Sequence, residues 1–398
     1  MTADEPTDTP RDALPPALPP TPPGGDPADV IADETHVPEI PARHRARGIS
    51  QRAQRRLEIG SNIFVTVLAA SWIAAVIWGE PRTVAAADPL SRATRAIGAS
   101  LTNANAPSAA FITDAMVQSL ALRGASGKLL ARFETPGDLV PGDSLPAGTH
   151  LAATDPASPR DTVPAASRPA GIWRLALAVG NAIRPVADFS LITMRPFDEK
   201  QRGRIGGYMI GSWPGESGQP MRSRYENPRG FIEVTLANRD TRVSEHFRLR
   251  DFLTKGQENV WPKYLVLEPR LIDKLELLIS ELERSGVRVE HMAVMSGFRT
   301  PSYNAGGGNT AGRANLSRHM YGDAADVFVD NDRNGTLDDL NGDGRVDTRD
   351  AKVMADAAER VERAHPHLVG GIGTYKACCG HGPFIHVDTR GYRARWSE

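Results

Sequence analysis

Periodic apolar patterning, without which a chain cannot bury a core, is confined to the C-terminal part of this sequence, from about Tyr225 onward. Phe231-Ile-Glu-Val-Thr-Leu236 alternates like a strand. Leu271, Ile272, Leu275, Leu278, Ile279 and Leu282 fall on one helical face, with Pro269 near the first turn and Gly286 as a stop. Strands are expected over 289–295, 324–329, 371–375 and 384–387, and a further helix over 351–364. Residues 225–398 are therefore predicted to form an α+β domain, a small antiparallel sheet with flanking helices.

The rest of the chain reads differently. Residues 1–58 begin with a stretch dominated by Pro, Asp, Thr and Ala, which cannot bury enough surface to offset ordering entropy and is expected to be a disordered tail. The tail ends in Arg43, Arg45, Arg47, Arg52, Arg55 and Arg56, directly before an almost charge-free apolar run at 59–79. About 20 such residues at ~1.5 Å rise would span a bilayer core. The run is expected to be a transmembrane helix, with the arginine-rich tail in the cytoplasm and the C-terminal domain in the periplasm or outside the cell. A cleaved signal sequence, ending near Ala85-Ala86-Ala87, and a buried core helix are the alternatives. Residues 80–224 show no sustained period. They read as a stalk with small ordered islands at 111–122 and 172–183, or as a small domain of weak pattern.

Charge and cysteine content narrow the function. With 47 Lys+Arg against 48 Asp+Glu, the chain lacks the basic excess of a nucleic-acid binder. Two cysteines cannot build a disulfide framework, and Cys378 and Cys379 are adjacent. Their ~3.8 Å Cα spacing falls below the usual disulfide range, so free thiols or a vicinal disulfide shaping the loop before His381 are expected, with zinc ligation by Cys378-Cys379-x-His381 as the alternative.

The strongest chemical signal is Ser317-Arg-His319-Met-Tyr-Gly322-Asp-Ala324-Ala-Asp326. Small residues between a nitrogen and an oxygen ligand let the backbone turn tightly while both side chains converge on one point. His386-Val-Asp388 follows in an apolar strand that places both side chains on one face. His319, Asp326 and His386 would supply two nitrogens and one oxygen, leaving the fourth tetrahedral position of a zinc ion open, as catalytic sites do.

From Phe247 to Trp396 the sequence resembles zinc D-alanyl-D-alanine carboxypeptidases and murein endopeptidases, whose fold is shared with lysostaphin-like peptidases and the hedgehog signalling domain. The resemblance rests on Phe247-Arg-Leu-Arg-Asp-Phe252, Ser296-Gly-Phe-Arg299-Thr-Pro301 with Asn304, the histidine–aspartate run above, Gly370-Gly-Ile-Gly373, Phe384-Ile-His-Val-Asp388 and Arg393-Ala-Arg-Trp396. It implies His319, Asp326 and His386 as zinc ligands, with Arg299 holding a substrate carboxylate or carbonyl. A planar guanidinium suits that role; a structural ion pair is the competing reading. Several relatives keep an acidic base three residues before the last histidine ligand, where this chain has Pro383. Asp388 is the first candidate for the base and His381 the second, and Asp388 could instead orient a ligand imidazole. The expected function is zinc-dependent hydrolysis of peptide bonds in peptidoglycan stem peptides or crosslinks. The alternative is a non-catalytic hedgehog-like or wall-binding module that retains the metal site.

An acidic insertion at 330–350 follows Asp326. Its second half matches a calcium loop, with Asp339, Asn341 and Asp343 at positions one, three and five, Gly344 at six, Arg345 at seven, Val346 at eight, Asp347 at nine and Asp350 at twelve. Its first half repeats the pattern with Asp330, Asp332, Asn334, Thr336 and Asp338, offering a second Ca²⁺ site. Calcium there would brace the zinc site.

Overall fold

The computed structural model describes residues 122–138, 149–156, 162–164, 168–179, 182–218, 225–308, 310 and 313–398. They form a mixed α/β structure that is mostly sheet, with few helices. The first sheet contains β1 (Ala131–Glu134), β2 (Thr149–Thr154), β3 (Thr162–Val163), β4 (Gly171–Val179) and β5 (Ala182–Thr193), in the order β1-β5-β4-β2-β3. Two small sheets follow, one of β6 (Arg195–Pro196), β9 (Gly230–Val234) and β10 (Lys263–Leu265), the other of β7 (Arg204–Ile205) and β8 (Tyr208–Met209). The last sheet contains β11 (Met292–Ser296), β12 (Ala324–Val329), β13 (Gly371–Tyr375), β14 (Phe384–Asp388) and β15 (Ala394–Ser397), in the order β11-β12-β14-β13-β15.

Three helices accompany these sheets: α1 (Pro269–Arg284), α2 (Pro301–Gly306) and α3 (Thr348–Ala364). Helix α1 starts at Pro269, which needs no N–H in the first turn, and buries the predicted face Leu271, Ile272, Leu275, Leu278, Ile279 and Leu282. Helix α3 starts on a capping box, in which the Asp347 side chain receives the Arg349 N–H and the Asp350 side chain reaches back to the Asp347 N–H. It packs on α1, β13 and β14 through Ala351, Met354, Ala358 and Val361.

The structure corrects the expected fold in three respects. The last sheet is mixed rather than antiparallel. β15 returns past β13 and, running opposite to β14, must lie parallel to β13. The region expected to be a stalk carries the five-stranded first sheet, and the apolar island at 172–183 is a hairpin of β4 and β5 rather than one element. Its period was obscured because β5 buries both faces: Leu191 joins a small core with Leu122, Leu175 and Phe189, and Ile192 joins the main core. Finally, the transmembrane helix is not supported. The run at 59–79 lies outside the described residues, as do the tail at 1–58 and most of the island at 111–122. Among the described residues no helix is long and apolar enough to cross a membrane, so the expected single-pass anchoring and localisation are withdrawn.

Candidate metal centre

The centre is set by sheet register. Across adjacent strands Ser296 pairs with Asp326, Asp326 with His386, His386 with Gly373 and Gly373 with Trp396, so one row of residues crosses all five strands. Directly opposed residues on one face bring their side chains together, which is why Asp326 and His386 meet although they are distant in sequence. His319 arrives from a short 3₁₀ turn (Arg318–Tyr321) that ends on Gly322 in the left-handed region, φ 70°. A side chain at Gly322 would run into the Val266 carbonyl, so this position requires glycine for both conformation and space.

His319, Asp326 and His386 form a buried group able to hold a metal ion. His319 Nε2 lies 3.2 Å from both Asp326 Oδ1 and His386 Nδ1, and His386 Nδ1 lies 2.9 Å from Asp326 Oδ1. Three tetrahedral ligands ~2.0–2.1 Å from one ion sit about 3.3 Å apart, so the donor atoms already approximate that spacing. The second nitrogen of each imidazole is held. His319 donates through Nδ1 to the Gly297 carbonyl at 2.7 Å, which leaves Nε2 as the lone-pair nitrogen. His386 Nε2 bonds Asp388 Oδ2 at 3.1 Å.

The electrostatics follow from burial and pairing. Burial drives the His319 imidazole down to about 4, which keeps it neutral at neutral pH. Burial also disfavours charge on His386, but its hydrogen bonds to Asp326 and Asp388 outweigh that and raise its pKa. Asp326 is equally desolvated, yet His319, His386 and Arg299 hold its carboxyl well below the usual carboxylate range.

Asp388, the first candidate base, has all its hydrogen-bonding partners within the protein. It is fully buried and receives hydrogen bonds from Gly371 N (2.8 Å) and Arg390 N (3.0 Å), a two-pronged contact from the Arg390 guanidinium, and the His386 bond. A carboxylate bonded in this way holds the His386 ring, the orienting role that stood beside that of base for Asp388. Arg299 bonds Ser296 Oγ at 2.8 Å through Nε and forms an ion pair with Asp326 Oδ2, the oxygen turned away from the histidines. It thus makes the structural ion pair that competed with the substrate role, and it also lines a pocket. His381 stands outside the three-ligand group, with its ring edge-on to Phe384 at 5.0 Å.

That pocket, about 260 Å³, adjoins the centre through Ser296 and Arg299. Lys255, Arg299, Arg313 and His381 give it a basic lining over Phe298 and Tyr303, and no carboxylate is among the described residues that line it. Sequence reasoning missed two supports of the centre. Trp213, fully buried, donates its indole N–H to the Met320 carbonyl beside His319 at 2.9 Å. Trp396 crosses Gly373 to lie tilted at 45° beside His386 (5.2 Å between ring centres) and donates to the Tyr375 hydroxyl at 2.8 Å. The Gly373–Trp396 pairing was recoverable only with the strand order in hand.

The acidic insertion behaves unevenly. Asp330, Asp332 and Asp338 converge, and Asp330 is buried with its carboxylate accepting the Gly335 N–H at 3.2 Å. Asn334 and Thr336 bond each other in the turn between them. In the second half, matched more fully by pattern, the carboxylates bind backbone N–H groups and Arg349, and Asp350 receives Leu340 N and Asn341 N. Asp339 receives Gly342 N and Gly344 N, Asn341 receives Asp343 N, and Asp343 receives Arg345 N. Arg349 pairs with Asp343 and Asp347, and Asp350 is buried in the first turn of α3, where it completes the capping box. No family model, no curated protein and no solved structure matches this chain.

Proposed function

We propose that the chain is a zinc metallopeptidase acting on peptide bonds of peptidoglycan stem peptides or crosslinks. The observation that carries this reading is the set of three donor atoms within 3.2 Å of one another, with the second nitrogen of each imidazole fixed. Two imidazoles and one carboxylate are a donor set of catalytic zinc. A zinc ion held there would polarise a carbonyl and bring the pKa of bound water towards ~7. Arg299 keeps Asp326 oriented and ionised, and its place on the pocket wall lets it grip a carbonyl or carboxylate of the peptide. With Asp388 committed to His386, His381 is the pocket-side group available to handle the proton. The basic pocket suits an acidic peptide.

The second reading, a binding module without turnover, is favoured by Pro383, which stands where several members of the resembled peptidase family carry an acidic base. Zinc-loaded protein incubated with purified muropeptides separates the two. Peptide release that is lost on chelation and in His319→Ala supports the hydrolase. Retention of the muropeptides without release establishes the module instead.

Calcium completes the proposal. We place it in the first half of the insertion, where Asp330, Asp332 and Asp338 converge, directly after the strand that carries Asp326. Added Ca²⁺ should raise the melting temperature, and Asp332→Asn should remove the rise. If Asp343→Asn removes it and Asp332→Asn does not, the ion belongs to the second half.

A further inference from the structure

The loop joining β13 to β14 holds a bridge that the hydrolase reading does not use. Cys378 and Cys379 are joined to each other by a disulfide, and both are exposed. They open a four-residue turn closed from both sides, by Cys378 N to His381 O at 3.1 Å and His381 N to Cys378 O at 3.0 Å. Its central residues, Cys379 and Gly380, have φ of 55° and 90°, so the turn is of the primed kind that suits a twisted hairpin. Glycine takes such a conformation freely. Cysteine does not, because its Cβ crowds the backbone there, and it needs its surroundings to hold it. At Cys379 the bond to the preceding sulfur supplies that hold.

The same turn is a wall of the pocket. Cys379, Gly380 and His381 line it together with Ser296, Arg299 and Arg313. Below the turn the chain is anchored, since Gly382 abuts Thr336 of the acidic insertion and Phe384 enters the sheet, stacked on Tyr375 at 4.6 Å. A change at the cysteines is thus confined to the pocket wall and stops before His386.

We propose that Cys378–Cys379 is a reducible latch that sets the pocket wall, its co-reactant a small thiol or dithiol. A thiolate attacks one exposed sulfur, forming a mixed disulfide and releasing the neighbouring cysteine as thiolate. A second thiol then resolves the mixed disulfide. In sum the protein bridge gains two electrons and two protons and becomes two thiols, while the two reductant thiols become a disulfide. Freed of the bridge, Cys379 leaves the left-handed region, the paired turn opens and His381 moves from the wall.

Hydrogen exchange on the full chain, before and after dithiothreitol, tests this without reference to peptidase activity. Amides of Cys378 and His381 should exchange roughly ten-fold faster in the reduced protein and recover on reoxidation, while 384–388 stays protected. Cys378→Ser/Cys379→Ser should exchange at the reduced rate and not respond to dithiothreitol. The proposal is overturned if iodoacetamide alkylates both cysteines of the oxidant-treated native protein, or if exchange over 376–383 is the same in the two redox states. Either result leaves the zinc reading where it stands.

Discussion

Asp388 shows how little the identity of a residue says about its role until its partners are known. In sequence it is a carboxylate two residues from a ligand histidine. In the fold it is sealed between Gly371, Arg390 and His386, and burial, which opposes its charge, is outweighed by His386 and Arg390, which hold its pKa well down. Its effect is therefore exerted through the His386 ring. Asp388→Asn keeps the shape but replaces the carboxylate that accepts the Nε2–H of His386, orients the ring and strengthens Nδ1 as a metal donor. Metal affinity should fall about 10–100-fold, read by calorimetric titration of the apo-protein with Zn²⁺. Unchanged affinity alongside abolished peptide release would return Asp388 to the role of base. The grouping of His319 with Asp326 was legible from residue types at short spacing, and that of His386 from its apolar strand and the motif resemblance. Asp388's role was not, since it depends on Gly371 and Arg390, which the sequence alone does not place beside it.

Among the elements, those with a full apolar period were read closely. The face Leu271 to Leu282 became α1, and 324–329 became β12. Short strands such as β6 to β8, two residues each, carry no period to read. The amphipathic pattern also hid a charge: Lys274 on α1 is fully buried, bonded at 2.6 Å to Glu362 of α3 and at 2.7 Å to the carbonyl of Asp388. It ties both helices to the end of β14. Lys274→Met takes the ammonium from Glu362, which keeps Arg395 and the Gly370 N–H, and should cost about 1–3 kcal/mol in urea unfolding, against a loss near zero if the pair were superficial. On the next turn of the same helix, Glu276 accepts both the backbone N–H and Nδ1 of His246. That hydrogen bond to Glu276 raises the His246 pKa above its ordinary 6.5. The raised value means the pair's stabilisation is complete below the unfolded pKa and is lost as pH rises through the folded one. Thermal midpoints of the native protein and His246→Gln should differ most near pH ~6 and converge towards pH ~9. A gap that widens with pH would refute the linkage.

On the scale of the molecule, the onset of legible pattern at Tyr225 is not where the packing begins. One main core runs from Leu129 and Ala131 through Ile192, Tyr208, Ile210 and Trp213 to the strands of the metal centre. Polar contacts follow the same route. Asp273 on α1 receives the Ala125 and Ser126 N–H groups at 2.8 and 2.9 Å, Leu130 N donates to Val243 O at 2.9 Å, and Ser302 N donates to Ile210 O at 3.0 Å. This dependence was invisible in the sequence because isolated apolar residues such as Tyr208 and Trp213, set among Gly, Arg and Ser, make no stripe. A chain beginning at Tyr225 would expose the surfaces that Ile205, Tyr208, Ile210 and Trp213 cover, and would free the Met320 carbonyl next to His319. Such a chain should lose its cooperative thermal transition or melt well below the protein beginning at Leu122, and should bind Zn²⁺ more weakly, because the turn carrying His319 loses its brace. If residues 225–398 instead melt at the same temperature with the same metal affinity, residues 122–224 are an appendage and the continuity of the core has no energetic weight.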